Sequence, residues 1–262
     1  MAVLIPQPPP TRPRRPFRSA GPILLVCALF AGLIGVVAWL GSNGDQDPPA
    51  SRPKRFDVPA LDVAPGAAVP SPAAAATADV SWARLVERTD LPERTLRAYL
   101  AAETAMLDSA PACRLSWATL AGIGRVESRH GRINGAQVES DGMLRPPVIG
   151  IALDGSPGVR AIKDTDGGRL DGDQQWDRAV GAMQFLPKTW SRWAARASND
   201  GAAPDPQNVD DAALSAARYL CSAGGDLGTG EGWWQAVLTY NQSAAYGRSV
   251  FSAADAYAHA VS

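Results

Sequence analysis

The sequence predicts a mainly α outer domain with a long Gly/Asp-rich loop, preceded by one transmembrane helix and a Pro/Ala-rich linker. Three observations carry this. Apolar residues recur at three- and four-residue spacing in successive segments from Leu91 to the end of the chain. No convincing run of alternating polar and apolar residues suggests a sheet. Gly21 to Gly41, GPILLVCALFAGLIGVVAWLG, is 21 residues without a charge.

Taken in chain order, residues 1–20 form a basic tail. They hold Arg12, Arg14, Arg15 and Arg18 and no acid. The net charge of the 262 residues is −1, and 25 basic residues less these 4 leaves 21 against 26 acidic ones beyond the tail. Nothing in the overall charge points to nucleic acid. The uncharged span reaches about 30 Å as a helix, the thickness of a bilayer core. Arginines precede it and Asp45 and Asp47 follow. The positive-inside bias therefore puts residues 1–20 in the cytoplasm, 21–41 in the membrane and the remainder outside. The alternative is secretion after signal cleavage. A signal normally has an apolar region of about 7–15 residues ending in a small-x-small site, which SNGDQDPP does not supply.

Residues 42–80 include DQDPPASRP and VAPGAAVPSPAAAATA, a composition unable to bury a core and expected to form a disordered spacer. Residues 81–262 suffice for one core. Of three cysteines, Cys27 lies in the apolar span, while Cys113 and Cys221 share the outer domain. In an oxidising compartment a disulfide between these two is the default, and two free thiols the alternative.

The first helix is expected over Leu91–Ala110, with Pro92 at its start and Leu96, Leu100, Ala101 and Leu107 at helical spacing. CRLSWATLAGIGRVESRHG predicts a second. VGAMQFLPKTWSRWAARAS predicts a third after Asp177, broken or restarted at Pro187. NVDDAALSAARYLCSAGG predicts a fourth, GWWQAVLTYNQS a fifth, and VFSAADAYAHAV the last. Between the second and third, Gln137 to Gln175 is dominated by Gly, Asp and Pro. A loop that long inside a domain is often functional, here as one wall of a cleft with a short hairpin around VIGIALDG.

Within the second helix, Trp117, Leu120, Gly124 and Glu127 are spaced 3, 4 and 3, one helical face. Trp117 and Leu120 belong to a core by type, so Glu127 is aimed inward, with Gly124 leaving space one turn before it. Burial raises a carboxyl pKa, and a carboxylic acid protonated near neutrality is able to act as a general acid. The alternative is a structural pairing of Glu127 with Arg125, Arg129 or His130.

Read in order, the outer domain gives E-S-x-x-G from Glu127, G-x-M-Q-F-x-P-x-T-W from Gly181, D-P-Q-N-V from Asp205, a helix ending Y-L, and A-V-x-x-Y-N ending at Asn241. This ordered set resembles the lytic transglycosylases of the lysozyme-like superfamily, in a secreted actinobacterial branch related to the membrane-bound B-type enzymes. The resemblance spans about Leu91 to Tyr257. It implies a lysozyme-like helical fold and a cleft for peptidoglycan glycan strands. It implies Glu127 as the catalytic acid, with Gln184, Tyr240 and Asn241 contacting substrate beside it, and no cofactor.

Ordinary glycosidases use two carboxylates. Asp141, Asp154, Asp164, Asp166, Asp171 and Asp173 in the long loop keep a hydrolytic muramidase open as an alternative, and a catalytically inactive glycan-binding module is another. Seven of eight tryptophans lie in the outer domain, with Trp190, Trp193, Trp233 and Trp234 near the motifs. No metal is expected. Arg196 to Gln207 aligns with a calcium loop carried by some relatives, but Arg196 stands where the first carboxylate is required. Only two histidines are present. The sequence names no protein partner.

Overall fold

The computed structural model describes residues 56–70 and 82–261. The basic tail and the apolar span 21–41 lie outside the described residues. Among the described residues no helix is long and apolar enough to cross a membrane.

The domain is mainly α. Its helices are α1 (Trp82–Arg88), α2 (Glu93–Ser109), α3 (Trp117–Ser128), α4 (Pro187–Trp193), α5 (Val209–Gly224), α6 (Gly230–Tyr240) and α7 (Ala244–Ala260). Two short strands, β1 (Gln137–Val138) and β2 (Leu144–Arg145), pair antiparallel with Val138 opposite Leu144. The expected hairpin around VIGIALDG is therefore displaced upstream. Ile149 and Asp154 make only single bridges, to Val180 and Ala161.

Helix α3 lies at the centre, against α7, α2 and α5. Every residue from Trp117 to Gly124 is buried, so the helix is enclosed all round rather than along one stripe. Its first turn is capped twice. The Ser116 hydroxyl accepts from the Ala118 N–H at 3.2 Å, and the Glu103 carboxylate of α2 accepts from the Trp117 N–H at 3.0 Å. A Cβ on Gly122 would lie 2.7 Å from the Val250 carbonyl, so its absence lets α3 and α7 cross closely.

Gly124 has a different role from the one expected. A Cβ there would sit 1.9 Å from the Tyr99 hydroxyl, so its space belongs to a tyrosine of α2 rather than to Glu127. Tyr99 is held by His130 at 3.2 Å and cannot easily retreat. Gly124→Ala is expected to cost about 1–3 kcal/mol by overpacking. Urea denaturation checks this, and an unchanged midpoint would show that the Tyr99 ring yields freely.

Residues 56–70 depart from the expectation of a disordered spacer. Phe56, Val58, Leu61, Val63, Ala67 and Val69 pack against the core. Phe56 stacks on Tyr257 with centroids 5.1 Å apart, and the Leu61 N–H donates to Ser252 Oγ at 2.9 Å. Apolar residues at nearly every second position let an extended segment cover the α7 side of the domain.

The helix limits shift where caps decide them. The GAMQ stretch is a turn, and α4 begins only at Pro187, whose fixed φ suits a first helical position. Helix α7 begins at Ala244, six residues before the predicted start, because the Ser243 hydroxyl caps it through the Tyr246 N–H. Cys113 and Cys221 are joined, with Cα atoms 5.4 Å apart, tying the 3₁₀ turn Pro111–Cys113 to α5.

The long loop is ordered by its own acids. Asp164 accepts from the N–H groups of Asp166, Gly167 and Gly168, and Asp166 from Arg169 and Leu170. Asp171 accepts from Asp173 and Arg178, and Asp173 from Gln175 and Trp176. These carboxylates satisfy backbone donors that a helix or sheet would otherwise satisfy.

Candidate active site

The site forms where the end of α3, the GAMQ turn and the start of α7 meet. Glu127 occupies the last turn of α3. Its neighbour Ser128 is fully buried and donates to the Ala182 carbonyl at 2.5 Å. Two further bonds pin the same turn. The Tyr240 hydroxyl donates to the Met183 carbonyl at 2.7 Å, and the Gly181 N–H donates to the Val148 carbonyl at 2.9 Å. Gly181 has a φ of +77°, and a Cβ there would lie 1.8 Å from the Pro206 carbonyl oxygen. Only glycine fits. Gln184 is 8% exposed with a φ of +47°, an uncommon conformation for a side-chain-bearing residue. Its side-chain amide donates to the Gly181 carbonyl at 2.9 Å.

These elements enclose a pocket of about 630 Å³ around Glu127. Gln184, Asn241, Tyr246, Asn134 and Arg178 supply its polar groups. Val126, Ile149 and Ile151 supply apolar surface. Val126 and Ile151 are two of the three large apolar side chains left exposed among the described residues. Apolar surface left open in a concave, otherwise polar site suits the hydrophobic faces of a ligand.

Among the described residues Glu127 is the sole carboxylate lining this pocket. Burial drives its pKa up from 4.5 to about 7, against a lowering hydrogen bond from Tyr246. The Tyr246 hydroxyl donates to Glu127 Oε1 at 2.7 Å. Glu127 pairs with none of Arg125, Arg129 or His130. Arg125 bonds Asp90 and Tyr257. His130 is fully buried between Tyr99 and Tyr257, 3.2 and 2.8 Å away, and burial pushes its pKa down to about 3, leaving it neutral. The structural ion-pair alternative therefore has no partner in the fold.

Glu127, Gln184 and Asn241 meet in the pocket as the motifs imply. Asn241 caps the end of α6, and its side-chain oxygen accepts from the Ser243 N–H at 3.2 Å. Tyr240 does not join them. It is 1% exposed, with its hydroxyl committed to Met183, so it holds the GAMQ turn from behind rather than touching a ligand. None of the six loop aspartates lines the pocket. Asp141 instead pairs with Arg145 at 2.7 Å, and Asp154 accepts from the Ser156 N–H. No tryptophan lines it either, and Trp117, Trp190, Trp233 and Trp234 belong to the core.

Two residues escaped the sequence reading. Ser128 stands in the E-S-x-x-G motif but is given no role there, because a serine at a helix end is ordinarily a surface residue. Tyr246 was hidden because it reaches Glu127 across 119 residues of chain, though it closes the same TYNQSAAY stretch that holds Asn241. Replacing it gives a specific test. Tyr246→Phe removes the one hydrogen bond that lowers the Glu127 pKa, so the carboxyl rises further and becomes a weaker acid. Turnover of a glycan substrate is expected to fall about tenfold, with the alkaline limb of the kcat profile moving to higher pH. An unmoved limb would show that the bond does not set the acid's strength.

In the loop 196–207, Arg196 pairs with Asp200 at 2.6 Å and with buried Asp211 at 2.9 Å, so a guanidinium sits among the carboxylates. Among the described residues no group of three or more His, Cys, Asp or Glu side chains is placed to hold a metal ion.

No protein family and no curated protein matches this chain. Among solved structures, the chain is similar to the Escherichia coli lytic transglycosylase Slt35 in complex with bulgecin A. The TM-score is 0.35 and the sequence identity 15%, over 69% of this chain and 79% of that one.

Proposed function

We propose that this protein is a membrane-anchored lytic transglycosylase. It cleaves the bond between N-acetylmuramic acid and N-acetylglucosamine in peptidoglycan and leaves 1,6-anhydromuramyl ends. Residues 21–41 anchor it, and residues 81–262 act outside the membrane. The observation that carries the reading is that Glu127, a protonatable carboxyl, is the one acid among the described residues that lines its pocket, while Asp171 and Asp173 line the adjoining cleft beyond Ile149, Gly150 and Arg178. A two-carboxylate glycosidase needs its second group about 5–10 Å from the first. A reaction that uses one carboxyl twice needs only Glu127, poised near neutrality so that it holds a proton and then accepts one.

In this reading, protonated Glu127 gives its proton to the glycosidic oxygen as the bond to the anomeric carbon breaks. The muramic acid's own acetamido group stabilises the resulting cation. Glu127, now a carboxylate stabilised by the Tyr246 hydroxyl, accepts the proton of the muramic acid 6-hydroxyl as that oxygen bonds to the anomeric carbon. No water is consumed. The buried amides of Gln184 and Asn241 hold the sugar, and Val126 and Ile151 meet its apolar faces.

Mass spectrometry of digested peptidoglycan tests the assignment. Anhydromuramyl ends are expected. Reducing ends would make the protein a hydrolytic muramidase, and glycan binding without soluble product would make it a binding module.

A further inference from the structure

Beside the Glu127 pocket runs a second groove, of about 510 Å³, between α7 and the extended segment 58–61. The two share Val126, Ala245 and Ser249 as a common wall. Val58, Ala60 and Leu61 form the outer side. That side is fixed in place by the Phe56–Tyr257 stack and the Leu61–Ser252 hydrogen bond described above. The part of the chain leading up to the domain is thus a wall of a groove continuous with the candidate active site.

Two cations line the groove and no acid does. Arg125 is committed, bonded to Asp90 and Tyr257 and lying over the Phe56 ring at 5.6 Å. Arg248 is half-buried and, among the described residues, its guanidinium has neither an ion pair nor a hydrogen bond within the protein. On α7 it shares the stripe Ala245, Arg248, Ser249 and Ser252, spaced 3, 1 and 3, all of which line the groove. A partly desolvated guanidinium without a carboxylate is a site for one, with a planar fork suited to carboxylate oxygens.

Resting on the transglycosylase reading, we infer that this groove receives the acidic substituent of the muramic acid and that Arg248 binds its carboxylate. The other sugar of the strand is neutral, so the muramic acid side chain is the anionic feature of the glycan. Two sources share this chemistry: the bare lactyl carboxylate, and the carboxylates of a peptide attached there. Arg248 is a substrate-binding residue that distinguishes muramyl glycans from neutral ones. It takes no part in bond cleavage.

The test is equilibrium binding to the full-length protein in a non-cleaving Glu127→Gln background, with and without Arg248→Ala. Three probes are used: a neutral N-acetylglucosamine oligomer, peptide-stripped glycan strands, and strands that keep their peptides. Arg248→Ala is expected to weaken binding of carboxylate-bearing strands about tenfold and leave the neutral oligomer unchanged, with the difference shrinking as salt is raised. Arg248→Lys should recover part of it. Weakening on the peptide-stripped strands assigns the bare lactyl carboxylate, which is consumed in an amide bond wherever a peptide is attached, and weakening on the strands that keep their peptides assigns the peptide carboxylates. Either result supports the inference. Equal weakening on all three probes, or none on any, overturns it and leaves the transglycosylase reading standing. If the Arg248-intact protein binds none of the three, the glycan reading itself fails, and this inference with it.

Discussion

Glu127→Gln is expected to abolish glycan cleavage while leaving the fold intact and, above neutral pH, more stable than the parent. Glutamine keeps the size of the side chain and can still accept the Tyr246 hydrogen bond, but it delivers no proton. Loss of general acid catalysis alone is worth about 10²–10⁴-fold, and loss of the later base step adds to it. The stability change follows from linkage. The folded-state carboxyl titrates near 7 because of burial, above the unfolded value near 4.5. Between those two values the folded protein holds a proton that the unfolded chain has released, so parent stability falls as pH rises through that window. Below about pH 4.5 the penalty is absent, and above about 7 it is fully present. Its ceiling is about 3 kcal/mol, and solvent in the open pocket brings it nearer 1–2 kcal/mol. The difference in Tm between variant and parent should therefore be near zero at pH 4 and positive at pH 8. A structural ion pair requires the opposite, a loss of about 3–5 kcal/mol on removing one partner of a buried pair. Turnover and Tm measured on one preparation separate the two. Near-normal cleavage by the variant would refute the catalytic assignment outright.

Removing the Cys113–Cys221 disulfide is expected to lower stability by about 3–5 kcal/mol, a large part of what a domain of this size usually has. The bond spans 108 positions and joins the turn after α2 to α5. Closing so long a loop restricts the unfolded chain most. Neither cysteine lines the Glu127 pocket, so cleavage at low temperature should survive in the Cys113→Ser/Cys221→Ser variant. Guanidinium denaturation of the two proteins is the measurement. Coincident curves would mean that helix packing alone constrains this region. Loss of cleavage with little loss of stability would mean that the bond positions the site.

Helical class, six of the seven helices among the described residues and the ordered motifs are legible in the sequence because their signals are local, while α1 (Trp82–Arg88) goes unpredicted. Residues recurring at three and four positions, Pro187 at a helix start and Asn208 capping α5 each act within one or two turns. Glu127 is legible for the same reason, since its inward direction follows from Trp117 and Leu120 on its own helix. The Cys113–Cys221 pairing is legible because these are the two cysteines of the outer domain.

What surrounds Glu127 was decided only in three dimensions. Gly124 reads from the sequence as open space beside the acid, yet the Tyr99 hydroxyl of another helix fills it. Tyr240 reads as a substrate contact, yet its hydroxyl is spent on the GAMQ turn, and Tyr246 reaches the acid instead. The six loop aspartates read as possible second acids, yet none lines the pocket and the loop's own backbone takes up most of their carboxylates. Residues 56–70 read as a spacer, yet their apolar side chains find α7. In each case the side chain's type is set by the chain, but its partner lies tens of residues away. Periodicity shows which way a residue faces, and only the packing of one helix on another decides what it meets there.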